Sequence, residues 1–300
     1  MALAKNSKSK IKAKDIAGDF FRHMAEQGLA ATPTQIRKIS DKITSTMNYH
    51  PKVGVFGKTG VGKSSLCNAL FGQKIAKVSD IAACTRKPQK VLLSLSQDGS
   101  GLTLLDVPGV GENRKRDAEY SALYESLIPE LDVLLWVLKA DDRAYGVEEA
   151  FYSDLVLPYI KEAKIPVIFV INQIDKVAPI RDWDRENSKP GAKQRKTIDK
   201  KVNAIKSKFK VPLAKICPVA ADEAYGLTAL VEKIVRYLPA EKKYGIAREV
   251  RPENVSSRAV KEAEKGVWDT VKGYAATVFQ VALPYIAEAA WKFISKRWFA

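Results

Sequence analysis

Residues 57–64 read GKTGVGKS and follow directly on a short apolar run, KVGVF, at Lys52–Phe56. The pattern G-x-x-x-x-G-K-[ST] binds phosphate when it joins a strand to a helix. The apolar run predicts that strand, and the next residues predict a helix over Ser65–Phe71. A glycine-rich turn at a helix N-terminus can aim backbone N–H groups at phosphate oxygens. The stretch therefore predicts a phosphate-binding loop in an α/β domain.

The residue types in this loop suggest a role for most of its positions. Gly57, Gly60 and Gly62 permit the tight turn, because glycine tolerates positive φ. Lys63 is expected to reach the β- and γ-phosphates of a nucleotide, and Ser64 to ligate Mg²⁺. The predicted nucleotide-contacting residues here are Gly57, Lys58, Thr59, Gly60, Val61, Gly62, Lys63, Ser64 and Ser65.

The chain downstream of the loop has the pattern of an α/β sheet. Five apolar runs of strand length alternate with polar or helix-like stretches. Such alternation is typical of a mostly parallel sheet with helices on both faces. The runs are Val91–Leu95, Leu102–Leu105, Val133–Leu138, Val167–Ile171 and Ile216–Ala220.

The motif DVPG, from Asp106 to Gly109, stands directly after the run Leu102–Leu105. An aspartate at the carboxyl end of a strand beside the phosphate loop can hold Mg²⁺ through water. The backbone N–H of Gly109 can contact the γ-phosphate. The motif therefore extends the predicted site to a triphosphate and its metal.

The motif NQID, from Asn172 to Asp175, follows the run Val167–Ile171. A carboxylate at Asp175 can accept hydrogen bonds from both N1–H and N2–H₂ of guanine, and adenine does not offer that pair of donors. A buried polar group that the wrong base leaves unpaired discriminates strongly. The backbone N–H of Ala220 or Ala221, after the last strand, can bind guanine O6. These residues predict GTP rather than ATP as the ligand.

These motifs, in this order, resemble the translation-factor-class small GTPases. Within them the likeness is to the Era-like branch, which includes bacterial proteins labelled 50S ribosome-binding GTPases. The resemblance covers about residues 50–240 and rests on GKTGVGKSS, CTR, DVPG, NQID and PVAA. It implies GTP and GDP as ligands, Mg²⁺ as cofactor, and a six-stranded sheet in which one strand, Val91–Leu95, is antiparallel.

The resemblance also implies roles for single residues. Thr85, within CTR, corresponds to the switch I threonine, which closes on Mg²⁺ and the γ-phosphate when GTP is bound. The residues implied for hydrolysis are Lys63, Thr85 and Gly109. The residues implied for the metal are Ser64, Thr85 and Asp106.

Three positions depart from the usual pattern of the family. Gln173 stands where the base motif usually has lysine, which predicts lower affinity for the nucleotide. Ala220 stands where the fifth motif usually has serine, so the main-chain contact is kept and a hydroxyl is lost. Val110 follows DVPG, where many GTPases have the glutamine that orients water. Valine predicts slow intrinsic turnover that needs help from a partner, a dimer or an ion.

The N-terminal part and the centre of the chain differ in pattern. Residues 1–50 predict a helical extension, in which Thr34 caps a helix whose apolar face begins at Ile36. Residues 51–240 are expected to form the GTPase domain. A polar and basic segment at 181–201, with Pro and Gly in its middle, is expected to be an inserted loop before a helix.

Residues 241–300 are expected to combine a linker over 241–258 with a C-terminal amphipathic helix. The apolar face of that helix runs from Val267 to Tyr285, and three coverings for it remain open. They are the N-terminal helix or a second copy of the chain, a membrane surface, and RNA. The uncharged stretch Gly273–Ala287 is shorter than the ~20 residues that span a bilayer, so no transmembrane span is expected.

The chain has a formal net charge of +16, and residues 181–215 contribute twelve Lys and Arg against four Asp and Glu. Basic surfaces suit RNA, a ribosome or an anionic lipid face. A solvated surface without a partner is the other interpretation.

Composition excludes several classes of protein. Three widely spaced cysteines rule out a disulfide scaffold and a CxxC zinc site. Two histidines leave little room for histidine-based metal chemistry or a Ser-His-Asp triad. The basic N-terminus has no apolar run behind it, so no secretory signal is expected. The expected location is the cytoplasm, with peripheral membrane contact as the alternative.

The favoured function is a GTP-binding switch with slow Mg²⁺-dependent GTP hydrolysis, associated with the ribosome or RNA. The alternative is a GTP-regulated scaffold that forms a homodimer at a membrane surface through its C-terminal segment. Association with ribosomes that weakens with salt favours the first. Binding to liposomes that is lost with residues 259–300 favours the second.

Overall fold

The computed structural model describes residues 13–26, 28, 30–58, 60–72, 90–94, 101–105, 124–142 and 144–279. The strands are β1 (Val53–Phe56), β2 (Lys90–Ser94), β3 (Gly101–Leu105), β4 (Val133–Lys139), β5 (Val167–Asn172), β6 (Trp183–Asp184), β7 (Lys189–Pro190) and β8 (Ile216–Pro218). The helices are α1 (Ala13–Glu26), α2 (Pro33–Met47), α3 (Lys63–Phe71), α4 (Gly146–Phe151), α5 (Leu157–Ala163), α6 (Ala192–Phe209), α7 (Leu227–Tyr237), α8 (Ala240–Glu249) and α9 (Ser257–Phe279). A π-helical turn joins α4 to α5.

The predicted α/β fold with a mostly parallel sheet is confirmed. Strands β1, β4, β5 and β8 form a parallel sheet in the order β1-β4-β5-β8. Strand β2 is antiparallel to β3, as expected for Val91–Leu95. The six predicted strands are all present, but one continuous six-stranded ladder is not observed among the described residues. The short strand β1 pairs with β4 over its whole length, and β3 approaches β1 without a hydrogen-bonded ladder.

Both faces of the parallel sheet are buried, which explains why its strands are apolar throughout rather than alternating. Trp136 of β4 belongs to a hydrophobic cluster that contains Tyr152 and, from α6, Phe209. Its neighbour Leu135 belongs to the cluster on the opposite face, with Leu66 of α3. The sheet therefore carries α3 and α7 on one side and α4 to α6 on the other.

The flanking segments form a third hydrophobic cluster from α1, α2 and α9. Trp268 of α9 lies against Phe20 of α1, with ring centroids 5.7 Å apart, and Val271 is buried in the same cluster as Ile39 of α2. Packing of the C-terminal helix on the N-terminal helices is thus confirmed for the described part of α9, while residues 280–300 lie outside the described residues. In the ranges that the structure describes, no helix is both long and apolar enough to cross a bilayer.

The cap of α2 is Thr32, so the prediction of Thr34 was wrong. The Thr32 hydroxyl accepts a hydrogen bond from the Gln35 N–H, and the Thr32 N–H donates to the Gln35 side chain at 2.9 Å. This capping box places Pro33 at the first helical position, where its fixed φ suits the helix. Of the predicted apolar face, Ile36 is exposed.

The predicted linker 241–258 was wrong, because much of it is helix α8. Ile246 and Val250 are buried in the core cluster that contains α3, and the Arg251 N–H donates to the carbonyl of Leu70 at 2.8 Å. Helix α8 has few apolar residues among many charges, so its own periodicity is weak. Contact with the core, rather than a local pattern, accounts for the helix.

The basic segment 181–201 is only partly a loop. Strands β6 and β7 form a hairpin that pairs Trp183 with Pro190. Helix α6 begins directly after Gly191, so the second half of the predicted loop is helical. The Pro-Gly pair ends the loop instead of marking its middle.

Asp132 joins the helical cluster to the sheet domain. Its buried carboxylate accepts hydrogen bonds from the Tyr49 hydroxyl at 2.8 Å, the Lys52 N–H at 2.7 Å and the Lys242 ammonium at 2.6 Å. Burial and the nearby Asp132 carboxylate raise the pKa of Tyr49. The Asp132 carboxylate therefore connects the segment that follows α2 with the start of α8.

Replacing Asp132 with alanine is expected to lower the free energy of unfolding by about 2–3 kcal/mol, because three donors lose a charged, buried acceptor. Urea denaturation measures this change. Asp141→Ala is the control, since Asp141 is exposed and pairs with Lys139 at the surface. That variant is expected to change the free energy by less than about 1 kcal/mol. If the two variants lowered the free energy of unfolding equally, the structural role assigned to Asp132 would be contradicted.

Candidate functional site

The predicted phosphate loop lies between β1 and α3 and has left-handed backbone at its glycines. Gly57, Gly60 and Gly62 have φ of 152°, 86° and 84°. A Cβ at Gly57 would lie 2.3 Å from the carbonyl oxygen of Val137, and one at Gly62 would lie 2.5 Å from the side-chain nitrogen of Asn172. Close contacts as well as φ therefore favour glycine at Gly57 and Gly62, whereas at Gly60 the positive φ alone favours it.

Lys63 places its ammonium over this loop. Its Nζ donates to the carbonyl of Gly57 at 2.8 Å and to that of Lys58 at 3.1 Å. Lys63 also begins α3, whose N-terminus carries a partial positive charge. A cation, a helix N-terminus and a glycine turn in one place fit a nucleoside di- or triphosphate.

Ser64 is the second residue of α3 and is half-buried beside the loop. A hydroxyl oxygen is a ligand of the kind that Mg²⁺ accepts, together with phosphate oxygens and water. Among the described residues, no cluster of three or more His, Cys, Asp or Glu could hold a metal by itself. This donor set fits a magnesium ion that is bound together with a nucleotide.

The Lys58 side chain is held away from a role in phosphate binding. Its Nζ lies 2.6 Å from Asp142 Oδ2 and 3.0 Å from Glu148 Oε1. The hydrogen bond to Asp142 and the charge of Glu148 raise the pKa of Lys58. Because the ammonium is paired with these two carboxylates, a contact of Lys58 with phosphate would use its backbone N–H.

Asn172 connects the phosphate loop to the loops that are expected to read the base. Its side-chain nitrogen donates to the carbonyls of Val61 at 3.0 Å and Gly62 at 3.2 Å, and its side-chain oxygen accepts from the Ala221 N–H at 3.2 Å. The residue is 1% exposed. Asn172 thus fixes the distance between two parts of the site.

Gln173 covers the phosphate loop in place of the lysine that is usual in the family. Its φ is 63°, and its side-chain nitrogen donates to the carbonyl of Gly60 at 3.1 Å. Its side-chain oxygen accepts from Lys176 Nζ at 3.3 Å. An amide donor therefore makes the contact with the loop, and a lysine one turn further along supplies a positive charge next to it.

Asp175 lies in a 3-10 turn, Ile174–Lys176, directly after Gln173. It is half-buried, and desolvation raises its pKa, as do the nearby charges of Glu223 and Asp222. A carboxylate that lacks its full hydration gains more from two hydrogen-bond donors than an exposed one does. The position suits the reading of guanine.

The two N–H groups that were expected to meet guanine O6 are both engaged within the protein. The Ala220 N–H donates to the Tyr225 carbonyl at 3.1 Å, and the Ala221 N–H donates to Asn172. A contact of either group with guanine O6 requires one of these bonds to be shared or exchanged. The contact stays a prediction.

Several predicted site residues lie outside the described residues. They are Thr59, Thr85, Asp106, Gly109 and Val110. Their predicted roles in metal binding and hydrolysis are therefore untested by the geometry. The residues that the structure does bring together are the phosphate loop, Asn172, Gln173 and the turn with Asp175.

Sequence reasoning missed Gln194, which contacts the turn that carries Asp175. It stands among lysines and arginines, which suggests a solvated position. The available signal is its spacing, since it falls on the same helical stripe as the buried Ile198 and Val202. Sequence reasoning also missed Glu148, whose pairing with Lys58 has no signal in the sequence.

Comparison with known proteins finds GTP-binding proteins among the relatives of this chain. The model of the family described as 50S ribosome-binding GTPase matches residues 52–173. The chain is 36% identical over 247 residues to the Escherichia coli K12 protein described as "Uncharacterized protein YkfA", covering 82% of this chain and 83% of the relative. It is 30% identical over 190 residues to the GTPase Era of Aquifex aeolicus, covering 62% of this chain and 56% of that protein.

Solved structures show a weaker likeness. A GTP-binding protein of Sulfolobus solfataricus in complex with GDP has a TM-score of 0.39 and 17% sequence identity, and the match covers 79% of this chain and 67% of that one. Family membership therefore rests on the sequence relatives.

Proposed function

We propose that this chain is a guanine-nucleotide switch associated with the ribosome or RNA. The premise is that the chain belongs to the Era-like P-loop GTPases, which bind GTP and GDP with Mg²⁺ and hydrolyse GTP. The observation that carries the nucleotide-binding part of this proposal is that Asn172 forms hydrogen bonds with two loops of the site. This one buried side chain bonds to the phosphate loop and to the Ala221 N–H, and the turn with Asp175 begins two residues after it. One side chain therefore connects the loop that is proposed to bind phosphate with the loop that is proposed to contact the base.

In the proposed site, Lys63 and the N–H groups of the glycine loop stabilise the charge on the β- and γ-phosphates. Ser64, with Thr85 and Asp106, would hold Mg²⁺, and the ion supplies further positive charge to the phosphate oxygens when it is bound. Water attacks the γ-phosphorus in line and the bond to the leaving oxygen of GDP breaks. Gly109 contributes an N–H to the γ-phosphate.

Two residues support slow intrinsic turnover and modest affinity. Val110 offers no hydrogen bond to orient the attacking water. Gln173 replaces a charged group with an amide, although Lys176 brings a charge to its side-chain oxygen. A partner that supplies a polar or cationic group would then set the rate of hydrolysis.

The exposed face of α6 supports the RNA part of the proposal. This face is strongly basic, and Asp199 is its one acidic residue. Phosphate groups bind such a face with strong dependence on salt. Its basic residues that are exposed, together with the C-cap residue of the helix, are Lys193, Arg195, Lys196, Lys200, Lys206, Lys208 and Lys210.

Reversing three charges on this face, Lys193→Glu, Lys196→Glu and Lys200→Glu, is expected to weaken binding to ribosomes by about tenfold or more at low salt. Co-sedimentation at increasing salt measures the change. The control is Arg258→Glu with Lys261→Glu and Lys265→Glu, which has the same spacing and the same change in net charge on the exposed face of α9. Equal losses in both triple variants would indicate net charge rather than a surface, and no loss in either would contradict the role of α6.

The membrane-scaffold alternative has less support in the described residues. Its basis is the amphipathic C-terminal segment, and α9 already uses apolar residues such as Trp268 and Val271 against α1 and α2. An apolar face that is covered by the protein's own helices is not available to lipid.

A further inference from the structure

Gln194 is fully buried in the first turn of α6, against the turn that carries Asp175. Its side-chain nitrogen lies 2.9 Å from the carbonyl oxygen of Val177, 3.0 Å from that of Asp175 and 3.4 Å from that of Ile174. One amide group has two N–H donors, so the two shorter contacts are full hydrogen bonds and the third is a weaker one. Three carbonyls of one turn therefore converge on one side chain.

The orientation of this amide follows from its acceptors. If nitrogen and oxygen were exchanged, the side-chain oxygen would face three carbonyl oxygens, which repel it. In the present orientation the oxygen of Gln194 is buried and receives no hydrogen bond from the described residues. An unpaired buried oxygen costs free energy. The hydrogen bonds that the side-chain nitrogen donates offset this cost. An apolar side chain would fill the same space without it, so the amide is better explained by these hydrogen bonds than by packing.

The chain before Gln194 fixes its position. The Gln194 N–H donates to the Asp182 carboxylate at 2.9 Å, and the Gly191 N–H donates to the Asp182 carbonyl at 2.9 Å. Gly191 has no room for a side chain, because a Cβ there would lie within 2.6 Å of three atoms of Asp182. The start of α6 is thus rigid with respect to the loop before it.

The same loop also contacts the second loop of the base site. The Trp183 ring meets the Tyr225 ring edge to face, with centroids 5.8 Å apart, and the backbone of Tyr225 pairs with Ala220. The Ser188 hydroxyl donates to the Glu223 carboxylate at 3.3 Å. Residues 180–194 therefore brace both loops that flank the predicted guanine position.

We propose that Gln194 is a positioning residue for guanine recognition, and this rests on the proposed role of Asp175 as the base reader. The turn begins at Gln173, a non-glycine residue at positive φ, which is a conformation that needs support from its surroundings. Gln194 supplies that support, because its side-chain nitrogen contacts the carbonyls of Ile174, Asp175 and Val177. Without its donors the turn relaxes, and the Asp175 carboxylate no longer faces both guanine donors.

The test compares GDP with inosine diphosphate, which lacks the 2-amino group of guanine. Gln194→Met keeps the length and packing of the side chain and removes both N–H donors. It is expected to lower GDP affinity by about tenfold and to affect inosine diphosphate less, so that the preference for GDP falls toward one. Titration calorimetry or fluorescence with the full chain and Mg²⁺ measures both affinities.

The matched control is Val202→Ala, which removes packing from the same helix about two turns away, in the hydrophobic core. It is expected to lower stability while leaving the preference for GDP over inosine diphosphate unchanged. A merely structural role of Gln194 predicts that both variants behave alike. If Gln194→Met does not fold, Gln194→Asn keeps the amide with one methylene less, and the same loss of preference to a smaller extent is expected.

The wild-type protein separates two kinds of failure. If it does not distinguish GDP from inosine diphosphate, Asp175 does not read the base and the proposal falls with that assignment. If it does distinguish them and the Gln194 variants keep the same preference, only the role of Gln194 is overturned. A uniform loss of affinity for both nucleotides would also overturn it, because positioning of the carboxylate acts on the 2-amino contact.

Discussion

Lys63→Ala is expected to abolish binding of GTP and GDP, with a loss of at least about 100-fold in affinity. The ammonium is the cation of the phosphate loop, and it also bonds to the carbonyls of Gly57 and Lys58. Alanine therefore removes both the charge that meets the phosphates and a tie that shapes the loop. Equilibrium titration with a fluorescent GDP analogue in the presence of Mg²⁺ measures the effect.

A second lysine in the same loop provides the control. The ammonium of Lys58 is held by Asp142 and Glu148, so Lys58→Ala is expected to lower thermal stability but to change GDP affinity only severalfold. Similar losses of affinity in the two variants would mean that any charge change in the loop disturbs binding. Near-normal affinity of Lys63→Ala would contradict the assignment of the phosphate site.

Asp175→Asn is expected to exchange a preference for guanosine for a preference for xanthosine. The amide no longer accepts both guanine donors, and its N–H₂ can donate to the 2-oxo group of xanthine. Affinity for GDP should fall by about 100-fold, while xanthosine diphosphate binds more tightly to the variant than to the wild type. Competition between the two diphosphates for the same site gives both affinities in one experiment.

Asp222→Asn is the control for this change, because Asp222 lies on the neighbouring loop, is exposed and acts on Asp175 only through its charge. It is expected to keep the guanosine preference. An Asp175→Asn variant that still prefers GDP tenfold over xanthosine diphosphate would show that another group reads the base.

The parts of the fold that could be predicted from the sequence are those set by local pattern. The strand Val133–Lys139 is buried on both faces over its first six residues, which are all apolar, and its position was predicted within one residue. The glycine loop was predictable because positive φ favours glycine at three fixed positions, and close contacts add to this at Gly57 and Gly62. These signals do not depend on distant residues.

Other features arise from contacts between residues far apart in the chain. Helix α8 forms where Ile246 meets the core, and its charged sequence gives little sign of that. The pairing of Lys58 with Glu148 and the bond from Gln194 to the Asp175 carbonyl join segments whose proximity depends on the finished fold. Thr32 could have been found, because Pro33 is a common first residue of a helix.

The central claim is that this chain is a guanine-selective switch with slow hydrolysis. Binding of fluorescent GDP, GTP and ATP analogues to the purified protein with Mg²⁺, with phosphate release from GTP followed in the same samples, tests it most directly. The expected result is measurable binding of both guanine nucleotides with modest affinity, at least 100-fold weaker binding of ATP, and phosphate release that is slow without a partner. Equal binding of ATP and GTP, or no binding of either, would contradict the claim.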